Sequence, residues 1–264
     1  MKQQTTLTDQ LCWKPIKKYL ILFGNFLFAP YLKLKLYKFI FTNYLRASKT
    51  ESLTQVKFLN HVISQVGTYY NPNFYSNPSS LRKYLNAGFL MLQYPNQFSK
   101  YLITLSKFNI QTYLEIGTGF GGSFITTVEY LMRLNPSFKY AIGIDVESYR
   151  SMHIYATFNK KVKYIVMDSQ SPQFKNYINN KPAFDLIFLD GIRSRKRDFE
   201  IVKAKAKMIA IHDILEDDLV DAWKIIKNSY SSEYTFLEFT DQYLKNSKFL
   251  GIGLSIRKDF DEMK

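Results

Sequence analysis

The stretch YLEIGTGFGGSF, from Tyr113 to Phe124, holds four glycines within six positions: Gly117, Gly119, Gly121 and Gly122. Glycine is needed where the backbone takes a positive φ, and where a ligand must come close to main-chain amides. An apolar run (Tyr113, Leu114, Ile116) precedes these glycines, and a run at helical spacing follows (Phe124, Ile125, Val128, Leu131, Met132). A strand, a glycine turn and a helix whose first N–H groups point back at the turn make a cradle for a nucleotide or nucleoside. The alternative is a tight turn that serves packing only. Downstream, acids fall where successive strand-like runs end: Asp145 after YAIGI, Asp168 with Ser169 after VKYIVM, Asp190 after FDLIFL, and His212 with Asp213 after MIAI. Ligands of open α/β sheets sit outside the carboxyl ends of the strands, so these positions converge although they are distant in sequence. Asp145 suits paired ribose hydroxyls, because a carboxylate matches two donors, while Asp168 and Ser169 suit an adenine amino group. Each of them taken alone reads better as a helix cap or a solvated turn residue, whereas acids at matching strand ends, taken together, favour a ligand. Asp190, His212 and Asp213 offer two oxygens and a nitrogen, a set that suits a hard divalent cation such as Mg²⁺. Without a metal, Asp190 or His212 would act directly as a general base. The plainest reading of His212 is a bond to backbone at a strand end.

Two kinds of cofactor compete for the cradle. Gly117, Gly119 and Gly122 satisfy the G-x-G-x-x-G spacing of dinucleotide sites. Glu115, two residues before the first glycine, shifts the balance, because a carboxylate beside the turn repels a pyrophosphate and suits a cationic ligand. S-adenosylmethionine is such a ligand, with a sulfonium, an ammonium and no phosphate. The stretch resembles the first motif of class I S-adenosylmethionine-dependent methyltransferases. Its form, E-I-G-T-x-x-G-G-S, is most similar to the branch that includes cephalosporin hydroxylase-type and macrocin-type O-methyltransferases, and the preceding YPNQFSKYLITLSKFNIQ resembles the helix that enters the sheet there. The resemblance runs from about Pro95 to the C-terminus and does not cover the first ninety or so residues.

That resemblance implies a Rossmann-like methyltransferase fold, a seven-stranded mostly parallel sheet with helices on both faces. It implies an O-methyltransferase, assisted by a divalent metal, acting on a hydroxyl of a saccharide or related small molecule. S-adenosylmethionine would be bound by Glu115, Gly117, Thr118, Gly119, Gly121, Gly122, Ser123, Asp145, Asp168, Ser169 and Asp190. Asp190, His212 and Asp213 would hold Mg²⁺, with Asp190 and His212 carrying the chemistry. A metal-bound hydroxyl loses its proton more easily, and methyl transfer needs a deprotonated oxygen. The sequence departs from the family where D-G-x-H-x-Y is usual: here Asp190-Gly191-Ile192-Arg193-Ser194-Arg195 puts arginine at both places, and the usual Pro-Gly-Gly turn before His212 is missing. Arg193 and Arg195 predict either an anionic substrate or a solvated helix start. Two readings from other classes stand beside this one: a membrane-associated binding protein whose nucleoside pocket does not catalyse, and a nicotinamide-dependent enzyme.

The elements that must position these residues follow from periodicity. Strands are expected at 113–116, 140–145, 162–167, 184–189 and 207–211, with helices at 122–134, near 149–157, near 171–179, at 194–206 and at 217–229. Such alternation makes a parallel sheet with right-handed crossovers. Two consecutive β-rich runs, Tyr234–Phe239 and Phe249–Ile256, predict a terminal antiparallel pair. Upstream, helices are expected at Ser52–Val66, from Ser80 to about Met91, and from Tyr94-Pro95 to about Phe108. GTYYNPNFYSNPSS, before Ser80, reads as a loop, either linker or lid. His61 is read as a structural histidine within its helix, and His153 is given no role.

Composition sets the outer limits. A chain of 264 residues has room for one α/β domain and an appendage, here taken as 1–80 and 81–264. The 46% apolar content excludes a disordered chain, and the lone Cys12 permits no internal disulfide, which fits a reducing, cytoplasmic setting. Residues 1–60 hold ten Lys/Arg against Asp9 and Glu51, a net +8 of the overall +14, so the basic character belongs mainly to the appendage. Residues 13–45 mix large apolar side chains with lysines, and the uncharged core from Tyr19 to Leu32 is too short to span a bilayer. This run is either a packed helical pair or an interfacial anchor on an anionic membrane surface, at the inner face of the membrane. Nucleic acid is disfavoured, because the basic residues alternate with aliphatics.

Overall fold

The structure, a computed structural model, describes residues 49–66, 91, 93–191, 195–241 and 251–260. The basic run 13–45, the loop before Ser80, the helix expected from Ser80 to Met91, Arg193 and the first residues of the last expected strand lie outside the described residues, Met91 itself excepted. No helix among the described residues is long and apolar enough to cross a membrane.

The described residues form a seven-stranded sheet: β1 (Thr112–Ile116), β2 (Tyr140–Asp145), β3 (Val162–Val166), β4 (Phe184–Leu189), β5 (Ala206–His212), β6 (Tyr234–Phe239) and β7 (Ile252–Arg257). The order across it is β3-β2-β1-β4-β5-β7-β6. Every pairing from β3 to β5 is parallel, whereas β7 runs antiparallel between β5 and β6. This is a Rossmann-like α/β fold, a mostly parallel sheet with one reversed strand. The expected antiparallel pair is present: β7 lies beside β5, and β6 pairs with it and forms the sheet edge. All six residues of β4, FDLIFL, are buried, as a central parallel strand covered on both faces requires.

The helices are α1 (Val56–Val66), α2 (Pro95–Leu105), α3 (Gly122–Leu134), α4 (Arg150–Phe158), α5 (Pro172–Asn179), α6 (Arg195–Val202) and α7 (Asp217–Tyr230). Phe98 and Tyr101 of α2, Phe124 and Val128 of α3 and Tyr155 of α4 share one core with Tyr113 and Phe188. Phe174 of α5, Phe199 of α6 and Trp223 of α7 share the other, with Leu114, Ile116, Ile187 and Leu189. Side chains alternate along a strand, so β1 and β4 feed both cores. Local signals place the helix starts: Pro95 and Pro172 occupy first-turn positions that need no N–H, and the Ser171 hydroxyl accepts the Phe174 N–H at 3.2 Å.

Upstream of residue 80, the described segment 50–66 packs on the helices of the sheet domain. Leu53, in a 3₁₀ turn (Thr50–Thr54), and Leu59, Val62 and Ile63 of α1 are fully buried in the same core as α2 and α3. The Tyr130 hydroxyl donates to the Leu53 carbonyl at 3.1 Å, and Ser99 donates to Asn60 at 2.6 Å. Residues 50–66 are therefore part of the sheet domain, because their apolar face covers helices that would otherwise be exposed.

Candidate active site

In this strand order the chain turns one way from β1 to β2 and crosses over from β3 to β4, so the switch point lies between β1 and β4. Crevices at such points hold the ligands of open α/β sheets. The two strand ends there meet through backbone, where Asp190 N–H donates to the Ile116 carbonyl at 2.8 Å; on the other side Gly117 N–H donates to the Ile144 carbonyl of β2 at 2.8 Å. Gly117 has φ +90°, and a Cβ on it would lie 2.5 Å from backbone atoms of Asp190 and Gly191, so only glycine lets the two ends touch. Gly119, at φ +50°, is different: a Cβ there would meet nothing within 4 Å. Its N–H donates to Asp145 Oδ2 at 2.8 Å, and Asp145 Oδ1 accepts from the Glu147 N–H at 2.9 Å. Burial pushes the Asp145 carboxyl up, against the pull of these two amides. The turn thus has one glycine for packing and one facing open space beside a carboxylate. Gly121 stands at the left-handed N-cap of α3, Gly122 opens the helix, and Thr118 is buried between them and β2, beside Gly143.

Glu115 does not meet the expectation placed on it. It was to stand beside the turn as a charge facing a cationic ligand. Instead it is fully buried beneath it, accepting from the Tyr113 hydroxyl and, at 2.5 Å, from Ser123 Oγ. Burial pushes its carboxyl up to about 8, with those two hydroxyls opposing and Asp190 and Asp145 adding to the rise. Burial therefore favours its uncharged form and sets it behind the turn, away from any ligand's direct contact. The discriminating charge is Asp145, whose carboxylate takes the Gly119 amide that a pyrophosphate would need.

At the next strand end, Asp168 Oδ1 accepts from the Gln170 N–H at 2.9 Å. Ser169 donates at 3.2 Å to Asp198 of α6, which Gln170 also reaches at 3.2 Å. Asp198 is buried, which pushes its carboxyl up to about 6 against those two bonds and the nearby Arg197. Ser169 is thus tied to α6.

On the other side of the switch point the structure brings Asp190, His212 and Asp213 together, with one potential ligand atom from each all within 4.8 Å of one another. His212 Nδ1 lies 2.7 Å from Asp190 Oδ1 and 3.2 Å from Asp213 Oδ2. Two acceptors so placed require a proton on Nδ1. Burial alone would lower the His212 pKa, but the two carboxylates overcome it and carry the imidazole up to about 10. Asp213 has φ +59°, in the left-handed region that few residues other than glycine and Asn/Asp visit, and its N–H is held by the Gly251 carbonyl at 2.8 Å. Gln93 Nε2 donates to Asp190 Oδ2 at 3.0 Å.

Arg195 completes the cluster. Its buried guanidinium lies 3.2 Å from Asp213 Oδ2, 3.7 Å from Asp190 Oδ1 and 3.0 Å from Glu216 Oε2. It is neither a solvated helix start nor a cation held out to an anionic substrate. The donor set suits a divalent cation in type and number. As arranged, a cation already lies against the two carboxylates, 3.2 Å from Asp213 and 3.7 Å from Asp190, so an added ion would face a like charge.

The chain is similar to several solved structures. Over 80% of its length it aligns with 93% of the O-methyltransferase from Bacillus cereus in complex with SAH, at 15% identity and a TM-score of 0.48. Over 80% it aligns with 91% of the O-methyltransferase TomG from Streptomyces achromogenes, in complex with SAM, at 13% identity and 0.49. Over 71% it aligns with 86% of the SAH-bound methyltransferase PaMTH1 from Podospora anserina, at 14% identity and 0.46. No protein-family model and no curated protein matches the chain.

Sequence reasoning missed Gln93, Asp198 and Glu216. Gln93 carried no signal, since it precedes a proline-started helix in an unpatterned stretch. Asp198 and Glu216 were legible only as acids near helix starts. Arg195 was visible as a departure from the family pattern, but not that three acids would neutralise it.

Proposed function

We propose that this chain is an S-adenosylmethionine-dependent O-methyltransferase. The observation that carries the reading is the glycine turn at the switch point: Gly119 is open on its Cβ side with its amide on Asp145, and Gly117 of the same turn packs against the strand end that presents Asp190. A nucleoside without phosphates fits the first half. The ribose hydroxyls are assigned to Asp145, the adenine to the Asp168–Ser169 strand end, and the donor's amino-acid part to the turn at Gly117–Ser123. Glu115 supports that turn from below through Ser123.

Asp190 is assigned to the acceptor. A substrate hydroxyl donates to its carboxylate while an oxygen lone pair attacks the sulfonium methyl in line. The new O–C bond forms as the C–S bond breaks, its electron pair returning to sulfur as a neutral thioether, and the hydroxyl proton passes to Asp190. The His212 Nδ1–H and Gln93 Nε2 bonds hold the two Asp190 oxygens in place. Metal assistance is left out of this sequence of events because of Arg195.

The acceptor is assigned as a hydroxyl of a saccharide or related small molecule. Gln93 Oε1 and Arg195 Nε are buried with no hydrogen-bond partner among the described residues, both in side chains that touch Asp190. Hydroxyl groups satisfy either kind of atom. The basic run 13–45 is assigned to an anionic membrane surface on the strength of its charge. The full chain should pellet with anionic liposomes and a chain lacking residues 1–47 should not. If both remain in the supernatant, the membrane assignment fails.

Calorimetry of the full chain with S-adenosylhomocysteine and with NAD tests the cofactor. One S-adenosylhomocysteine per chain and no NAD is expected; the reverse would make the protein a nicotinamide enzyme. An Asp190→Ala chain should bind S-adenosylhomocysteine as wild type does and transfer no labelled methyl group.

A further inference from the structure

The Asp190, His212 and Asp213 cluster raises the question of what balances its charge. Two carboxylates sit within hydrogen-bonding distance of one imidazole nitrogen, and a third, Glu216, stands beside them. In a metal centre the balancing charge comes from the ion. Here a side chain occupies that role: the Arg195 guanidinium contacts Asp213 at 3.2 Å and Glu216 at 3.0 Å, and stands 3.7 Å from Asp190. It is nine-tenths buried, so bulk water screens these contacts little.

We propose that Arg195 is a built-in counter-cation that replaces the divalent metal, so that the cluster works with no bound ion. The proposal rests on the methyltransferase reading for what the cluster does, but not for what it binds. Any ion held by Asp190 and Asp213 would lie within a few ångströms of the guanidinium, with like charges opposed in a place where little water separates them. Arginine suits this post better than lysine would. Its planar fork reaches Asp213 through one nitrogen and Glu216 through the other, and it does not give up its charge. The arginine opens α6, four positions after Gly191 in the sequence, and its guanidinium reaches the carboxylates. Arg195 touches no reacting atom in this scheme. It is a positioning residue, which fixes the carboxylate of Asp190 and keeps metal out.

Mn²⁺ titration followed by electron paramagnetic resonance reads the claim without any turnover, on the full chain as wild type, Arg195→Met and Arg195→Lys. Wild type and Arg195→Lys are expected to leave Mn²⁺ free at millimolar concentration. Arg195→Met should take up one ion per chain at least tenfold more tightly, and a second change, Asp213→Asn, should abolish that uptake. Wild type that binds one Mn²⁺ per chain, and loses it on Asp213→Asn, overturns the proposal: Arg195 would then give way to the metal. Arg195→Met that folds but binds no better than wild type overturns it too. Should Arg195→Met fail to fold, wild-type exclusion of Mn²⁺ that persists in Arg195→Lys supports the proposal. Calorimetry with S-adenosylhomocysteine on the same wild-type sample reads the cofactor assignment separately, since its failure would leave the Mn²⁺ result standing.

Discussion

Replacing Glu115 by glutamine should change how stability depends on pH more than it changes stability at low pH. The carboxyl is fully buried, and its pKa rises from 4.5 to about 8, burial being the main cause. A group whose folded pKa is raised contributes fully below its unfolded pKa, and the contribution is lost as pH climbs through the folded value. Wild type should therefore lose stability across the window from about 4.5 to 8. Between pH 5 and pH 9 the linkage amounts to about 4 kcal/mol, at 1.36 kcal/mol per pKa unit. That is a large part of the 5–15 kcal/mol typical of a domain. Glu115→Gln keeps the shape and can still bond to Tyr113 and Ser123, but has no proton to lose. Urea unfolding of both proteins at pH 5, 7 and 9 gives the comparison. The difference between them should move by about 4 kcal/mol toward the variant as pH rises. Parallel stability curves would mean that Glu115 is ionised in the folded protein, and the role of a charge facing a cationic cofactor would return.

His212 adds a second slope of the same sign. Its folded pKa is raised to about 10, so what it contributes is present below about 6.5 and lost toward pH 10. His212→Gln should flatten the alkaline limb in the same urea experiment. Gly117→Ala places a methyl 2.5 Å from the backbone of Asp190 and Gly191 at φ +90°, and should lower stability by about 3 kcal/mol, read by thermal unfolding. Gly119→Ala meets only open space and should lower stability by about 1 kcal/mol, yet weaken S-adenosylhomocysteine binding far more, read by calorimetry. Asp145→Asn removes an acceptor for one of two backbone amides and should weaken S-adenosylhomocysteine roughly tenfold.

The sheet was legible because its strands are apolar runs separated by helices of ordinary length. YAIGID and FDLIFL have the same bounds in the sequence reading and in the structure, and so does the helix from Gly122 to Leu134. The place of β7 was not legible, since a hairpin-like pair of strands carries no sign of which member will lie against β5. The meeting of Asp190, His212 and Asp213 followed from their being ends of neighbouring parallel strands. What each does next depended on contacts that no local pattern shows. Glu115 alternates with Leu114 and Ile116 and therefore points into the α3 side of the sheet, where Ser123 and Tyr113 enclose it. Arg195, beside Arg193, Lys196 and Arg197, read as either a contact to an anionic substrate or a solvated helix start, and only the fold sets it against three acids, one just after β4 and two after β5.

The most direct measurement is a crystal structure of the full chain grown with S-adenosylhomocysteine. The account predicts the ribose hydroxyls within hydrogen-bonding distance of Asp145, the nucleoside passing on the open side of Gly119, and the thioether sulfur turned toward Asp190. Saturated crystals with no ligand in that crevice, or with the nucleoside held elsewhere on the sheet, would contradict it.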